Sequence, residues 1–311
     1  MTPEEIQIYC RRVRDAVANE HGTKFIERHF QAADNQLSVE EFPYCDLVAE
    51  RKATLKTLLE KQHVVILGEP GSGKSTLLWE AARRLAELAS EKQLPVPLHL
   101  RSYRGSLDAL ANAQDLPAAS DLNVGRFYLL DGLDEIPAQY HQQFAKEIAN
   151  RLSEPMTRWM VTVRQAFFTE HKELLPPRFL PMLVLGFREA DVLRYAAGID
   201  LDSSRFWHAI EDAELTDATA NPFVVRVLAN LYQNGRKLNP KKSDNLCLLI
   251  DHLLATRPNL PSIPAQVMHN AVGQTGLRFL FQIPLKHFAV NVPDLEFSEI
   301  ADKVILDKCR D

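Results

Sequence analysis

The sequence predicts an α/β protein with three layers, in which helices cover both faces of a parallel, five-stranded sheet and a region of helices follows. Two patterns predict this fold class. Between residues 46 and 187, short apolar runs alternate with longer segments of helical periodicity, which is typical of parallel strands joined by crossover helices. From Phe187 onward, the strand-like runs give way to helical segments that begin with polar residues.

These patterns divide the 311 residues into four regions, since a chain of this length exceeds one ordinary hydrophobic core. We expect an N-terminal helical segment over residues 1–45, an α/β domain over 46–187, a helical domain over 188–257 and a C-terminal helical segment over 258–311. The strands of the α/β domain are expected near residues 63–67, 96–100, 126–130, 159–163 and 182–185. The helices of the next domain are expected at Glu189–Ala197, Ser203–Ala213, Pro222–Gln233 and Ser243–Ala255. The helical positions of the N-terminal segment are Ile6, Val13, Val17, Phe25, Ile26 and Phe30.

The composition argues against several classes of partner. Hydrophobic residues make up 46% and charged residues 25% of the chain, and a net charge of −5 provides no global basic field for nucleic acid or an anionic membrane surface. The four cysteines are far apart and show no CxxC spacing, so they suggest neither a zinc site nor a disulfide framework. The sequence shows no signal-peptide core and no apolar run long enough to span a bilayer, and we therefore expect a cytoplasmic protein.

The glycine-rich segment 63–78, HVVILGEPGSGKSTLL, is the most informative part of the chain. It runs from a predicted buried strand through a loop into a helix, which is the context that the pattern G-x-x-x-x-G-K-[ST] requires for phosphate binding; the alternative is a glycine-rich turn in an unrelated βα unit. Glycines let backbone N–H groups face a phosphate, Lys74 supplies a positive charge, and the Ser75 hydroxyl is placed to ligate Mg²⁺. The residues predicted to bind the nucleotide are Gly68, Glu69, Pro70, Gly71, Ser72, Gly73, Lys74, Ser75 and Thr76.

A second motif, RFYLLDGLDEIP at residues 126–137, ends another predicted buried strand with acidic residues. Ligands of an open α/β sheet bind at the carboxyl ends of its strands, so Asp131 is expected beside Ser75, where its carboxylate can hold Mg²⁺. Of the two acids that follow, Glu135 is our candidate for the base that activates water for attack on the γ-phosphate, and Asp134 for a group that either supports the metal ligands or positions the reactants. The alternative is that these acids cap the following helix.

Two further positions have both a structural and a functional interpretation. Arg164 follows the apolar run 159–163, which is predicted to lie between the two motif-bearing strands, so its side chain would reach the γ-phosphate. An Arg at a strand end is otherwise a solvated charge. Asn221 and Pro222 are typical of the N-cap and the first residue of a helix.

Together these motifs resemble those of the NACHT-type nucleoside triphosphatases, a branch of the P-loop signal-transduction ATPases called STAND that includes NLR-like proteins of bacteria. The likeness covers residues 40–260. Four segments carry it, GEPGSGKSTLL at 68–78, LLDGLDEIP at 129–137, WMVTVR at 159–164 and ANPFVVRVLANLY at 220–232. The DGLDE sequence within the second segment is the most specific of these.

The resemblance implies an ATP-dependent switch. In this family the position of Arg164 senses the γ-phosphate, and the position of Pro222 packs on the adenine and ties a helical lid to the nucleotide. ATP with Mg²⁺ would favour an open state that assembles into a homo-oligomer, and slow hydrolysis to ADP would restore the closed state. The resemblance also implies an unknown trigger ligand, a partial winged-helix fold in the C-terminal region, and a role in innate immunity or defence against phage.

Two interpretations from other classes remain open. One is a remodelling ATPase of the AAA+ ring type, and the other is a scaffold whose bound ADP only stabilises the fold. ATP is expected rather than GTP because no NKxD-like guanine motif is present. Members of the resembled family carry effector and sensor domains that this chain lacks. We therefore expect either a fragment of a longer polypeptide or a minimal form that acts through a separate effector or sensor protein.

Overall fold

A computed structural model describes residues 3–21, 25–33, 53–88, 93–113, 125–154, 156–235 and 238. The strands in these ranges are β1 (His29–Ala32), β2 (Ala53–Thr54), β3 (His63–Leu67), β4 (Gln93–His99), β5 (Gly125–Asp131), β6 (Thr157–Val163) and β7 (Leu180–Val184). The helices are α1 (Pro3–His21), α2 (Leu55–Leu59), α3 (Lys74–Glu87), α4 (Leu107–Ala113), α5 (His141–Arg151), α6 (Gln165–Glu170), α7 (Glu189–Gly198), α8 (Ser203–Asp212) and α9 (Pro222–Gln233).

The seven described strands form one sheet in the order β2-β1-β7-β3-β6-β5-β4. Strands β3 to β7 run parallel to one another, and β3 lies between β6 and β7. All five predicted strands are therefore present, and β6 lies between the two strands that precede the glycine-rich loop and the acidic motif. This order places the carboxyl ends of β3, β6 and β5 side by side.

The described sheet has seven strands rather than the predicted five, because two further strands lie at one edge. β1 pairs antiparallel with β7, and β2 pairs antiparallel with β1. The expectation of a helix through Phe30 is wrong for the same reason, because Phe30 lies in β1. Only Phe30 among the four residues of β1 is fully buried, so this short edge strand has too little alternation to be distinguished from a helical pattern.

The sheet buries an apolar layer on each face, as a three-layer fold requires. Alternate residues of β3 enter opposite layers, since Val64 and Ile66 pack with α1, α2 and α3, whereas Val65 and Leu67 pack with α4 and α5. Side chains point alternately to the two faces of a strand, and the fully apolar β3 is thus buried on both. A buried central strand gives the loop that follows it a rigid base.

The helix α3 begins at Lys74 because Gly73 adopts a left-handed conformation, with φ of 85°, immediately before it. Few residues other than glycine take this conformation without strain. Leu77, Leu78 and Ala81 then turn one side of the helix into the sheet. The sequence placed this helix correctly.

The chain divides into two units, Met1–Leu185 and Gly186–Asp311. In the described part of the second unit, α7, α8 and α9 pack around a core of their own that includes Val192, Phe206 and Leu228. The sequence predicted these three helices to within a residue. The helix expected at Ser243–Ala255 and the C-terminal region 258–311 lie outside the described residues.

Within the described ranges, no helix combines the length and apolarity that a membrane span requires.

Candidate functional site

The carboxyl edge of the sheet brings together the polar residues that the sequence singled out in the first unit. The loop 68–73 follows β3, Asp131 ends β5, and Arg164 follows β6. Because β6 lies between β3 and β5, these three groups occupy adjacent positions along one edge. Pro222 belongs to the second unit, where it begins α9, and its predicted contact with adenine stays a prediction.

Glycines shape the loop at three positions for two reasons. Gly71 and Gly73 have positive φ angles of 76° and 85°, which glycine adopts without a steric penalty. Gly68 is needed for space, because a Cβ atom there would lie 2.7 Å from the Oγ of Ser72. The result is a tight turn in which the backbone N–H of Ser72 donates to the carbonyl of Glu69 at 3.1 Å.

The ammonium group of Lys74 is folded back onto this loop. Its Nζ donates hydrogen bonds to the carbonyl oxygens of Gly68 at 2.7 Å and Glu69 at 3.0 Å. Burial lowers the pKa of Lys74, with Arg164 acting in the same direction, while the nearby acids Asp134, Glu69 and Asp131 oppose this shift. Lys74 therefore places one positive charge inside the loop, where an anionic ligand can reach it.

Asp131 is the centre of a group of hydrogen-bond donors. Its Oδ1 accepts from the Ser75 hydroxyl at 3.1 Å and from the Thr162 hydroxyl at 2.6 Å, and its Oδ2 lies 3.7 Å from Nδ1 of His99. Burial alone would raise the pKa of Asp131, but the interactions with His99, Thr162 and Ser75 outweigh burial and lower it. Asp131 is thus an ionised carboxylate beside a hydroxyl.

This donor set fits a hard cation that arrives with its own oxygen ligands. Mg²⁺ is typically held by one or two protein oxygens together with substrate phosphates and water. Ser75 and Asp131 supply such oxygens from the loop and the strand end. Among the described residues, no three or more His, Cys, Asp or Glu side chains form a metal-binding group of their own. The arrangement is therefore suited to a metal-nucleotide complex rather than to a metal alone.

The three residues after Gly132 form a short 3-10 turn, Leu133–Glu135, that carries two acids. Gly132 has a φ of 78°, and a Cβ atom there would lie 2.8 Å from Cδ of Glu135, so glycine allows the carboxyl group to fold over the backbone. Burial, with repulsion from Asp131 and Asp134, raises the pKa of Glu135 to about 7. Glu135 is therefore able to take up a proton near neutral pH.

Asp134 is held by Arg164 and does not cap α5, which begins six residues after Glu135. The Nε of Arg164 lies 2.8 Å from Oδ2 of Asp134, and the backbone N–H of Arg164 donates to Oδ1 at 3.2 Å. These contacts place Asp134 against Arg164, and its role as a positioning group stays a prediction. Arg164 is not simply solvated, since its side chain is 29% exposed and anchored at the sheet edge.

Four residues near the site were not singled out from the sequence. Thr162 and His99 contact Asp131. Arg28 is 5% exposed, and its guanidinium lies 3.9 Å from the position of a Cβ atom on Gly73. Arg101 lies in the turn Leu100–Ser102, which packs against Leu133–Glu135, and its charge opposes the rise in the pKa of Glu135. Of these four residues, only Thr162 could have been noticed in the sequence, because it is a lone polar residue within the apolar run WMVTV.

Comparisons with known proteins were made on this background. No protein-family model matches the sequence, and no curated protein matches it. Among solved structures, the chain is similar to AMPPCP-bound DnaA from Aquifex aeolicus, with 11% identity, a TM-score of 0.44, and coverage of 82% of this chain and 86% of that chain. It is also similar to the RuvB Holliday junction branch migration motor of Thermotoga maritima, with 11% identity, a TM-score of 0.38, and coverage of 96% and 95%. Likeness at this level does not indicate a ligand or an activity.

Proposed function

We propose that this protein is a P-loop ATPase of the NACHT and STAND type, which binds ATP with Mg²⁺, hydrolyses it slowly and uses the difference between ATP and ADP as a switch. One observation carries the proposal. Two segments that are 56 residues apart in sequence meet at the sheet edge, where the Ser75 hydroxyl donates to Asp131. This juxtaposition, next to a lysine-bearing glycine loop, is what a triphosphate and its cation require.

The loop binds the phosphates through its backbone and one side chain. The N-terminus of α3 directs N–H groups and the positive end of the helix dipole at the ligand. Lys74 exchanges its bonds with the carbonyls of Gly68 and Glu69 for bonds with phosphate oxygens, which are stronger because both partners are charged. Ser75 and Asp131 would hold Mg²⁺, which would supply positive charge beside the phosphates.

Glu135 and Arg164 are the residues that act on the γ-phosphate during hydrolysis. With a pKa of about 7, Glu135 is able to orient a water molecule and accept its proton during attack on the γ-phosphate. Arg164 pairs with Asp134, and a γ-phosphate would offer its guanidinium a second, stronger acceptor. Arg164 can pair with Asp134 or with a γ-phosphate, and only ATP carries a γ-phosphate. The side chain of Arg164 can therefore respond differently to ATP and ADP.

A switch of this kind needs ATP and ADP to favour different conformations. Turning a two-state population over completely takes about 5 kcal/mol of differential binding, and the γ-phosphate is the only group by which the two nucleotides differ. Pro222 is proposed to connect the helical domain to the adenine, and the ATP state to form a homo-oligomer. The same proposal includes an unidentified trigger and a separate effector or sensor protein. It also includes a cytoplasmic location and a role in antiviral defence.

Measuring hydrolysis and assembly together tests this function. We would follow ATP turnover against protein concentration, with molar mass by light scattering in Mg²⁺–ADP and Mg²⁺–ATP. The proposal predicts slow turnover and a larger mass in ATP than in ADP. Fast ATP turnover by a ring-shaped oligomer would instead indicate a remodelling motor, and bound ADP with no turnover would indicate a scaffold. Either result would overturn the switch.

A further inference from the structure

We infer that Thr162 is the positioning residue of the metal side of this site, whose buried hydroxyl fixes both the orientation of Asp131 and the start of the turn that carries Asp134 and Glu135. The inference rests on the proposed function, because it states how the site for Mg²⁺ and ATP is held in place. It assigns Thr162 no contact with the substrate.

The burial of Thr162 is the first reason. Its side chain is 1% exposed and lies in β6 among Trp159, Met160, Val161 and Val163, all of which are buried apolar residues. A hydroxyl group inside an apolar strand lowers stability unless it is hydrogen-bonded, whereas a valine there would pack without any polar requirement. The hydrogen-bond partners of the Thr162 hydroxyl therefore have to account for a polar side chain at this position.

Those partners are two consecutive residues of the acidic motif. The Thr162 hydroxyl donates to Oδ1 of Asp131 at 2.6 Å and accepts from the backbone N–H of Gly132 at 2.9 Å. A hydroxyl has one hydrogen and two lone pairs, so one oxygen serves as donor and acceptor at once. A single atom on β6 thus holds the carboxylate at the end of β5 and the first peptide after it.

Thr162 differs from the other residue that contacts Oδ1. Ser75 reaches the same oxygen from the glycine-rich loop at 3.1 Å, and it is exposed. Thr162 lies in the middle of the sheet, paired in register with Ile66 of β3. Asp131 is therefore held from the sheet by Thr162 as well as from the loop by Ser75.

The bond to Gly132 extends this effect to the hydrolytic acids. Gly132 has a positive φ and directly precedes the turn Leu133–Glu135. Fixing its N–H fixes the direction in which that turn leaves the strand. Thr162 consequently links the carboxylate that faces the cation to the turn that carries the proposed base.

Two substitutions separate the hydroxyl from the shape of the side chain. Thr162→Val keeps the branched shape and loses the hydroxyl, whereas Thr162→Ser keeps the hydroxyl and loses a methyl group. We would titrate a fluorescent ATP analogue against each protein in EDTA and over a range of Mg²⁺ concentrations. We expect similar affinity in EDTA for all three proteins. The Mg²⁺ concentration for half-maximal tightening should rise about tenfold or more in Thr162→Val, as for other residues that orient metal ligands, and stay near the wild-type value in Thr162→Ser.

An unchanged Mg²⁺ requirement in Thr162→Val would overturn the inference, and so would a loss of affinity that is equal in EDTA and Mg²⁺, which indicates a general structural role. If Thr162→Val fails to fold, Thr162→Ala carries the same expectation. A wild-type protein that binds no nucleotide would refute the proposed function instead. In that case hydrogen exchange at the Gly132 amide still tests the inference in nucleotide-free protein. We expect faster exchange in Thr162→Val than in Thr162→Ser, and equal rates would contradict it.

Discussion

Two partly buried carboxylates on the same α/β unit, Glu147 and Glu135, lie in opposite surroundings. Glu147 of α5 accepts hydrogen bonds from the Tyr103 hydroxyl at 2.8 Å and the Leu107 backbone N–H at 3.0 Å, and it pairs with Arg151 at 3.0 Å. At Glu135, burial and the repulsion from Asp131 and Asp134 outweigh the attraction of Arg164 and Arg101. One carboxylate is paired with hydrogen-bond donors and an arginine, whereas burial and like charges raise the pKa of the other.

This difference separates a structural acid from a reactive one. A carboxylate that accepts several hydrogen bonds stabilises the fold, whereas a carboxylate among like charges costs stability and gains proton affinity. Perturbed acids of the second kind are concentrated at functional sites. The comparison is open to test because the same substitution, Glu to Gln, can be made at both positions.

The largest expected effect is on turnover. Glu135→Gln should bind ATP as the wild type does and hydrolyse it about 10²-fold to 10⁴-fold more slowly, since general base catalysis contributes that much. Single-turnover hydrolysis with saturating Mg²⁺–ATP measures the change. Glu147→Gln is the matched control and should turn over ATP at the wild-type rate. Normal turnover by Glu135→Gln would show that the base is another residue.

The next largest effect is on stability. Here Glu147→Gln should change the protein more than Glu135→Gln does. Glu147→Gln replaces a charged acceptor of several hydrogen bonds, and we expect it to lower the free energy of unfolding by about 1–3 kcal/mol. Glu135→Gln removes repulsion from Asp131 and Asp134 and should leave stability unchanged or raise it. Urea unfolding of both variants at pH 7 gives the comparison. An equal loss of stability in both would remove the distinction between the two carboxylates.

The smallest effect is a pH dependence that sharpens the same contrast. The pKa of Glu135 is about 7 in the folded protein, above its ordinary value of 4.5, so the folded state binds this proton more tightly than the unfolded state does. The resulting stability is fully present below pH 4.5 and is lost as the pH rises toward and through 7. Over this range the stability of Glu135→Gln should rise relative to the wild type. A constant difference from pH 4.5 to 8 would be inconsistent with a raised pKa.

The sequence was sufficient to predict the parallel strands and the meeting of Ser75 with Asp131. Both depend on local patterns, a buried apolar run and the residues directly after it, together with the rule that parallel strands end at one edge. The strands β1 and β2 were missed because they are four and two residues long, and their pairing partners lie far away in the chain. Thr162, His99 and Arg28 act through contacts with distant residues, and no spacing in the sequence encodes those contacts.

Binding of Mg²⁺–ATP to the glycine-rich loop is the central claim, and thermal unfolding tests it most directly. A ligand that binds only the folded protein raises the melting temperature in proportion to the logarithm of its concentration over Kd. We predict that Mg²⁺–ATP raises the melting temperature of the wild type and of Lys61→Ala, which lies in an exposed turn, and has no effect on Lys74→Ala. An equal rise in all three proteins, or no rise in the wild type, would contradict the account.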